Sequence, residues 1–230
     1  GSFWRRIGRK MQYTGQIEGR ESVKVQPHGN HFKKKTYKIR ITKFLLFIEI
    51  NIIAMNQSEF DIKEHKHKFA VWAAGRAASV KDHRFSVETA RVLIDSINLH
   101  KYIDQPSALP EHFDSAHEEW CDALIKVSRP TLSYGVAAKL INIYLKCIFV
   151  CGGHHEHDKV KRIHPPIDRL LLKALATDRI GNRQGIWKRY AEKGWSNFDK
   201  KDYQEVIANI KDIFEPGGLY KVEHFWTGHQ

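Results

Sequence analysis

Between Val136 and Val150 the chain reads Val-Ala-Ala-Lys-Leu-Ile-Asn-Ile-Tyr-Leu-Lys-Cys-Ile-Phe-Val, and Lys139, Asn142 and Lys146 are its strongly polar interruptions. A helix that is apolar nearly all round is buried. Residues at i, i+3 and i+7 share one helical face, so these three form a narrow polar stripe turned toward a cleft or another charged element. A lysine held among apolar groups loses solvation of its charged form. Its pKa falls and a neutral, nucleophilic amine comes within reach of neutral pH, which is what Schiff-base chemistry requires. The same pattern also accommodates a lysine that reaches solvent or sits in a fixed ion pair.

The elements that position this lysine are helical. From residue 55 onward apolar residues recur at three and four, and the spacing predicts helices near 59–80, 86–99, 110–128, 136–151, 168–177, 183–193 and 200–214. Ser86, Pro110, Pro165-Pro166, Gly152-Gly153 and Pro216-Gly217-Gly218 punctuate their edges. Gly135 can end one helix and allow a tight turn into the next. Asp168 falls at or beside a helix N-terminus, where the macrodipole favours a carboxylate and an N-cap is the plain role.

Leu132-Ser-Tyr-Gly-Val-Ala-Ala-Lys139, followed 29 residues later by the aspartate of Pro166-Ile-Asp168, resembles the helix-hairpin-helix DNA glycosylase superfamily, in which a Gly-Val-Gly-x-Lys hairpin precedes Pro-Val-Asp. The likeness covers about 40 residues. Ala137 stands where the second hairpin glycine is customary, Ser133-Tyr134 where a proline is, and the loop between the motifs is longer than usual. The resemblance implies an all-α, helix-hairpin-helix glycosylase-like domain that bends double-stranded DNA and flips a modified base, with 8-oxoguanine the first expectation. It further implies cleavage of the N-glycosidic bond through Lys139 as nucleophile and β-elimination as an AP lyase, with Asp168 stabilising charge on the sugar. Gly135, Val136 and Ala137 would then hold a DNA phosphate through their amides. The other class this pattern allows is a non-catalytic DNA-binding or interaction module in which Lys139 and Asp168 form a structural ion pair.

Trp72 and Arg76, one turn apart in Phe69-Ala-Val-Trp-Ala-Ala-Gly-Arg76, are candidates for stacking on an extruded base and holding its phosphate, although core packing is the commoner use of such a tryptophan. Cys151-Gly-Gly-His154-His155-Glu-His157 has zinc-ligand types but no recognisable ligand spacing, and reads as a surface loop. His117-Glu-Glu-Trp120 is followed by Cys121 where a zinc protease would place its second histidine. Trp187, Tyr190, Trp195, Phe198 and Phe225-Trp226 read as packing residues.

At 230 residues and 42% hydrophobic, the chain suffices for one main core. The net charge of +12 points to a polyanionic partner. Most of it lies in residues 1–54, which hold 12 Lys/Arg against 3 Asp/Glu. That segment reads as a basic extension, irregular or with short strands at Thr36–Ile41 and Phe44–Ile50, ahead of a helical domain at 55–230, and Met55 is a candidate natural start. The apolar stretch Phe44–Ala54 is too short to span a bilayer. Three cysteines with no paired motif fit a reducing, cytoplasmic setting. The expectation is a monomer that uses no cofactor and no metal.

Overall fold

The computed structural model describes residues 60–81, 84–215 and 217–228, so the basic extension 1–54 and its two expected strands lie outside the described residues. Among the described residues the chain is helical, without a strand. Its α-helices are α1 (Ile62–Ala78), α2 (Val87–Ser96), α3 (Phe113–Val127), α4 (Tyr134–Leu145), α5 (Asp158–Lys161), α6 (Arg169–Thr177), α7 (Gln184–Lys193) and α8 (Lys200–Phe214). All seven helices expected from the apolar period are present, each within a few residues of its expected ends. Short 3-10 turns lie between and after them, of which Trp195–Asn197, between α7 and α8, and Leu219–Phe225, after α8, matter below.

Side-chain caps set the helix starts. Asp61, Ser86, Ser133, Asp168 and Asp199 each accept a hydrogen bond from a first-turn amide, satisfying a donor that the helix itself leaves unpaired. Asp199 and Asp202 complete a reciprocal capping box.

Helix α4 is the axis of the core. Leu140, Ile141, Tyr144 and Leu145 are fully buried, and α1 and α3 pack along it. The alanines at 70, 74 and 78 give α1 a flat buried face, which lets the two backbones approach. Beyond Leu145 the helix widens into a π-helical turn, Lys146–His154, which ends where Gly153 adopts φ +87°, a conformation that favours glycine. The segment Tyr134–His154 is long and apolar enough to cross a membrane by length and composition alone, but 67% of its apolar window is buried inside the protein.

Gly135 does not make the turn between helices. The turn is Ser128–Ser133, and Gly135 is already the second residue of α4. A glycine is needed there because a Cβ would lie 1.9 Å from the carbonyl oxygen of Trp195. The Gly135 amide donates to the Phe198 carbonyl at 3.1 Å, so this close approach clamps the 195–198 turn onto the start of α4.

Candidate active site

Lys139 and Asp168 meet. The amine of Lys139 lies 3.5 Å from Oδ2 of Asp168, and 7% and 19% of the two side chains are exposed. Helix α4 supplies the lysine from its buried face. The chain from Ile163 to Asp168 then brings the carboxylate across, with residues 163–167 buried. Asp168 keeps its capping role at the same time: Oδ1 accepts from the Leu171 amide at 2.9 Å, while Oδ2 accepts from Nε1 of Trp226 at 2.9 Å.

Two tryptophans frame the pair. The Lys139 amine stands 4.2 Å from the ring centre of Trp195, within cation–π range. About two helical turns further on, just past the end of α4, Lys146 pairs with Glu223 and lies 5.7 Å from the Trp226 ring. Burial pushes the Lys139 pKa below its ordinary value, and the Asp168 carboxylate opposes that shift without cancelling it. Burial likewise raises the Glu223 carboxyl, with Lys146 opposing. The arrangement therefore holds an amine with an enlarged neutral fraction 3.5 Å from a carboxylate oxygen able to take or return a proton.

The third polar residue of the stripe, Asn142, is fully buried and holds the site together from behind. Its Nδ2 donates to the Pro165 carbonyl at 3.0 Å and to the Tyr203 hydroxyl at 2.8 Å. Its Oδ1 accepts from Nε2 of His117 at 2.8 Å. The Tyr203 hydroxyl then donates to Nδ1 of His164 at 3.1 Å, and Nε2 of His164 donates to Asp114 at 2.8 Å. Hydrogen-bond partners thus dictate one neutral tautomer for each histidine. Burial depresses both histidine pKa values, with His164 adding to the effect on His117. The hydrogen bond from His164, with Lys211 beside it, holds the Asp114 carboxyl well below its usual range. A cleft of about 220 Å³ between α3 and α8 reaches this network.

The other sequence candidates sit elsewhere. Gly135, Val136 and Ala137 are buried, and their amides already donate to Phe198 O, Ser133 Oγ and Ser133 O. They have no donor turned outward for a phosphate, which corrects the expectation of a backbone grip there. Trp72 and Arg76 are exposed on the outer side of α1. Trp72 packs on Phe69 rather than on the Lys139 cluster. In the Cys151–His157 loop, Nδ1 of His157 accepts from the Lys159 amide and caps α5. Among the described residues no group of three or more His, Cys, Asp or Glu is arranged to hold a metal ion.

Sequence reasoning missed Trp195, Glu223 and Trp226 as neighbours of the lysine. They stand on 3-10 turns or just beyond them, where no periodicity marks which way a side chain faces. Their aromatic character was the available signal, and it reads equally well as packing. The chain matches no protein family, no curated protein and no solved structure.

Proposed function

We propose that this chain is a helix-hairpin-helix DNA glycosylase with AP-lyase activity, excising a modified purine such as 8-oxoguanine from double-stranded DNA through Lys139. The observation that carries the reading is the Lys139–Asp168 contact of 3.5 Å in an aromatic, mostly buried setting. It joins two residues 29 apart that the motif pattern pairs for this chemistry, on a lysine whose pKa burial lowers.

In this mechanism the neutral Lys139 amine attacks C1′ of the flipped nucleotide. A nitrogen–carbon bond forms as the bond from C1′ to the base breaks, its electron pair leaving with the base. Asp168 stabilises the positive charge that develops on the sugar and accepts the amine proton. Opening of the sugar then gives an imine, and loss of the C2′ proton expels the 3′ phosphate by β-elimination. In this reading the exposed Arg169, next to Asp168 in sequence, would meet a DNA phosphate, a task the occupied amides of Gly135–Ala137 leave to side chains.

A second reading is a DNA-binding or interaction module in which the pair is structural. The observation favouring it is that only 7% of the Lys139 side chain is exposed, beneath Trp195. Borohydride trapping separates the two. The full chain is incubated with duplexes containing 8-oxoguanine, an abasic site or no lesion, beside Lys139→Gln and Lys146→Gln proteins. A covalent adduct on the 8-oxoguanine duplex that only Lys139→Gln abolishes supports the glycosylase/lyase reading. An adduct on the abasic duplex alone leaves a lyase for another base. No adduct on any duplex, with duplex affinity retained, supports the module.

A further inference from the structure

Helix α1 has two unlike faces. Ala70, Val71, Ala74 and Ala78 are buried in the core, whereas His65, Lys68, Phe69, Trp72 and Arg76 are exposed. Spaced i, i+3, i+4, i+7 and i+11, these five form one continuous outer stripe, about 16 Å long at 1.5 Å per residue. Phe69 is 56% exposed and Trp72 48%. Their rings contact each other with centres 5.8 Å apart and planes inclined at 36°, so two large aromatic faces are held side by side at the surface. Phe60, 71% exposed, extends the stripe by contacting the His65 ring.

Cations surround these rings. Between Ile62 and Ala78 the helix carries Lys63, Lys66, Lys68 and Arg76 against a single acid, Glu64. Glu64 is engaged by both Lys68 and Arg91. Lys63 and Arg76 have no acidic partner among the described residues. An exposed apolar patch rimmed by polar groups marks an interaction site, and the rim charge selects an anionic partner. A second copy of this chain docking the same stripe in a two-fold dimer would bring the same cations face to face. The stripe is two aromatics wide on a helix whose other side is fixed in the core, which leaves no broad apolar face for a bilayer. Exposed aromatic planes interleaved with lysine and arginine suit unpaired bases on a phosphate backbone.

We infer that the outer stripe of α1 binds single-stranded nucleic acid, with bases stacking on Phe69 and Trp72 and phosphates meeting Arg76 and Lys68. The surface is separate from the Lys139 cluster, and its binding does not depend on the lysine chemistry.

The test is fluorescence anisotropy of the full chain with a labelled oligothymidylate and with a mixed-sequence duplex of equal length, across a salt series. The proteins compared are wild type, Phe69→Ala/Trp72→Ala, Arg76→Ala and Lys139→Gln. All altered α1 side chains are exposed, and circular dichroism checks that each variant is folded. The double aromatic variant is expected to bind the single strand at least tenfold more weakly, with an unchanged salt slope and unchanged duplex affinity. Arg76→Ala is expected to lower the single-strand salt slope by about 0.7. Lys139→Gln should bind the single strand as wild type does. Single-strand affinity within twofold of wild type in the double aromatic variant overturns the inference, and so does an equal loss on the duplex. If that variant keeps single-strand binding but loses self-association in light scattering, or binding to phosphatidylserine vesicles, the stripe belongs to a second copy or a membrane surface, and the inference is again overturned.

Discussion

Asn142 donates to the carbonyl of Pro165 at 3.0 Å, and this bond ties the helix carrying Lys139 to the segment that ends in Asp168. The two bonded residues are each three positions from the member of the pair on their own segment. Lysine and carboxylate therefore sit at the ends of a short, buried, hydrogen-bonded frame, and the frame fixes their separation better than their own 3.5 Å contact does. An unmade bond to Asn142 would leave buried polar atoms without water or partner, at about 1–3 kcal/mol each. That penalty keeps the frame closed.

The Lys139 amine should titrate below an ordinary lysine. Burial lowers its pKa and Asp168 works the other way without cancelling the shift, so the midpoint of its titration lies below that of an exposed lysine. Replacing Asp168 by Asn removes the charge that favours the ammonium, and the midpoint should move down further. Reductive methylation with isotopically labelled formaldehyde, followed by NMR titration, reads the midpoint of Lys139 directly. A wild-type midpoint at or above that of the surface lysines, or an upward move in Asp168→Asn, would contradict this account.

The sequence made some of this legible and hid the rest for physical reasons. The apolar period around α4 located the core helix, and the polar stripe on it marked three residues that all prove to hold specific partners: Asp168, the Asn142 network and Glu223. Asp168 was readable as a cap because the N-cap preference acts within one turn. Gly135 was misread because a glycine needed for close approach looks, in a sequence, like a glycine needed for a turn. The difference lies in Trp195, 60 residues away. Trp72 and Arg76 have the spacing of one helix face, but which face looks outward depends on where α4 packs. The alanines at 70, 74 and 78, taken together, carried that information.

Gly135→Ala should destabilise the fold, against the usual sign. An exposed helical Gly-to-Ala change gains about 1 kcal/mol from propensity. Here the new methyl would lie 1.9 Å from the Trp195 carbonyl oxygen and 3.0 Å from its carbon. Both are backbone atoms, so the 195–198 turn must move and the Gly135–Phe198 hydrogen bond lengthens. Urea denaturation should show a net loss of about 1–3 kcal/mol, the range of overpacked cores. Trp195 lies in the displaced turn, so its contact with Lys139 should loosen too. A neutral or stabilising effect would mean that the close approach has slack.

Stability should fall in mild acid. His117 and His164 are buried and depressed by that burial, and His67, depressed chiefly by burial, has the same sign. Their unfolded-state value is 6.5, so above it folded and unfolded chains are alike neutral and the full stability is present. As pH drops through 6.5 the unfolded chain takes up protons that the folded chain refuses, and stability is lost at up to about 1.4 kcal/mol per pH unit for each histidine. The Asp114 carboxyl, lowered in the folded state, adds a further loss only below about 4. Thermal melting from pH 8 to 4.5 should give a level upper limb and a steep decline beginning near 6.5. His117→Phe, which removes one of the three groups, should make that decline shallower. A melting temperature that holds level down to pH 5 would show that these imidazoles protonate without cost.

Trp226 should matter to the fold chiefly through Asp168. Its indole N–H donates to Oδ2 at 2.9 Å, the same oxygen that faces Lys139, and a hydrogen bond to a charged acceptor is worth about 1.5–3 kcal/mol. Trp226→Phe keeps a ring in place and deletes the donor, so equilibrium unfolding should show a loss of about 1–2 kcal/mol. The size alone does not identify the cause, because a smaller ring also packs less well. A double-mutant cycle with Asp168→Ala does: if the bond carries the effect, Trp226→Phe costs less than about 0.5 kcal/mol once the carboxylate is gone. A cost that is the same in both backgrounds would assign Trp226 to packing alone, and would leave Asp168 held by its cap and by Lys139.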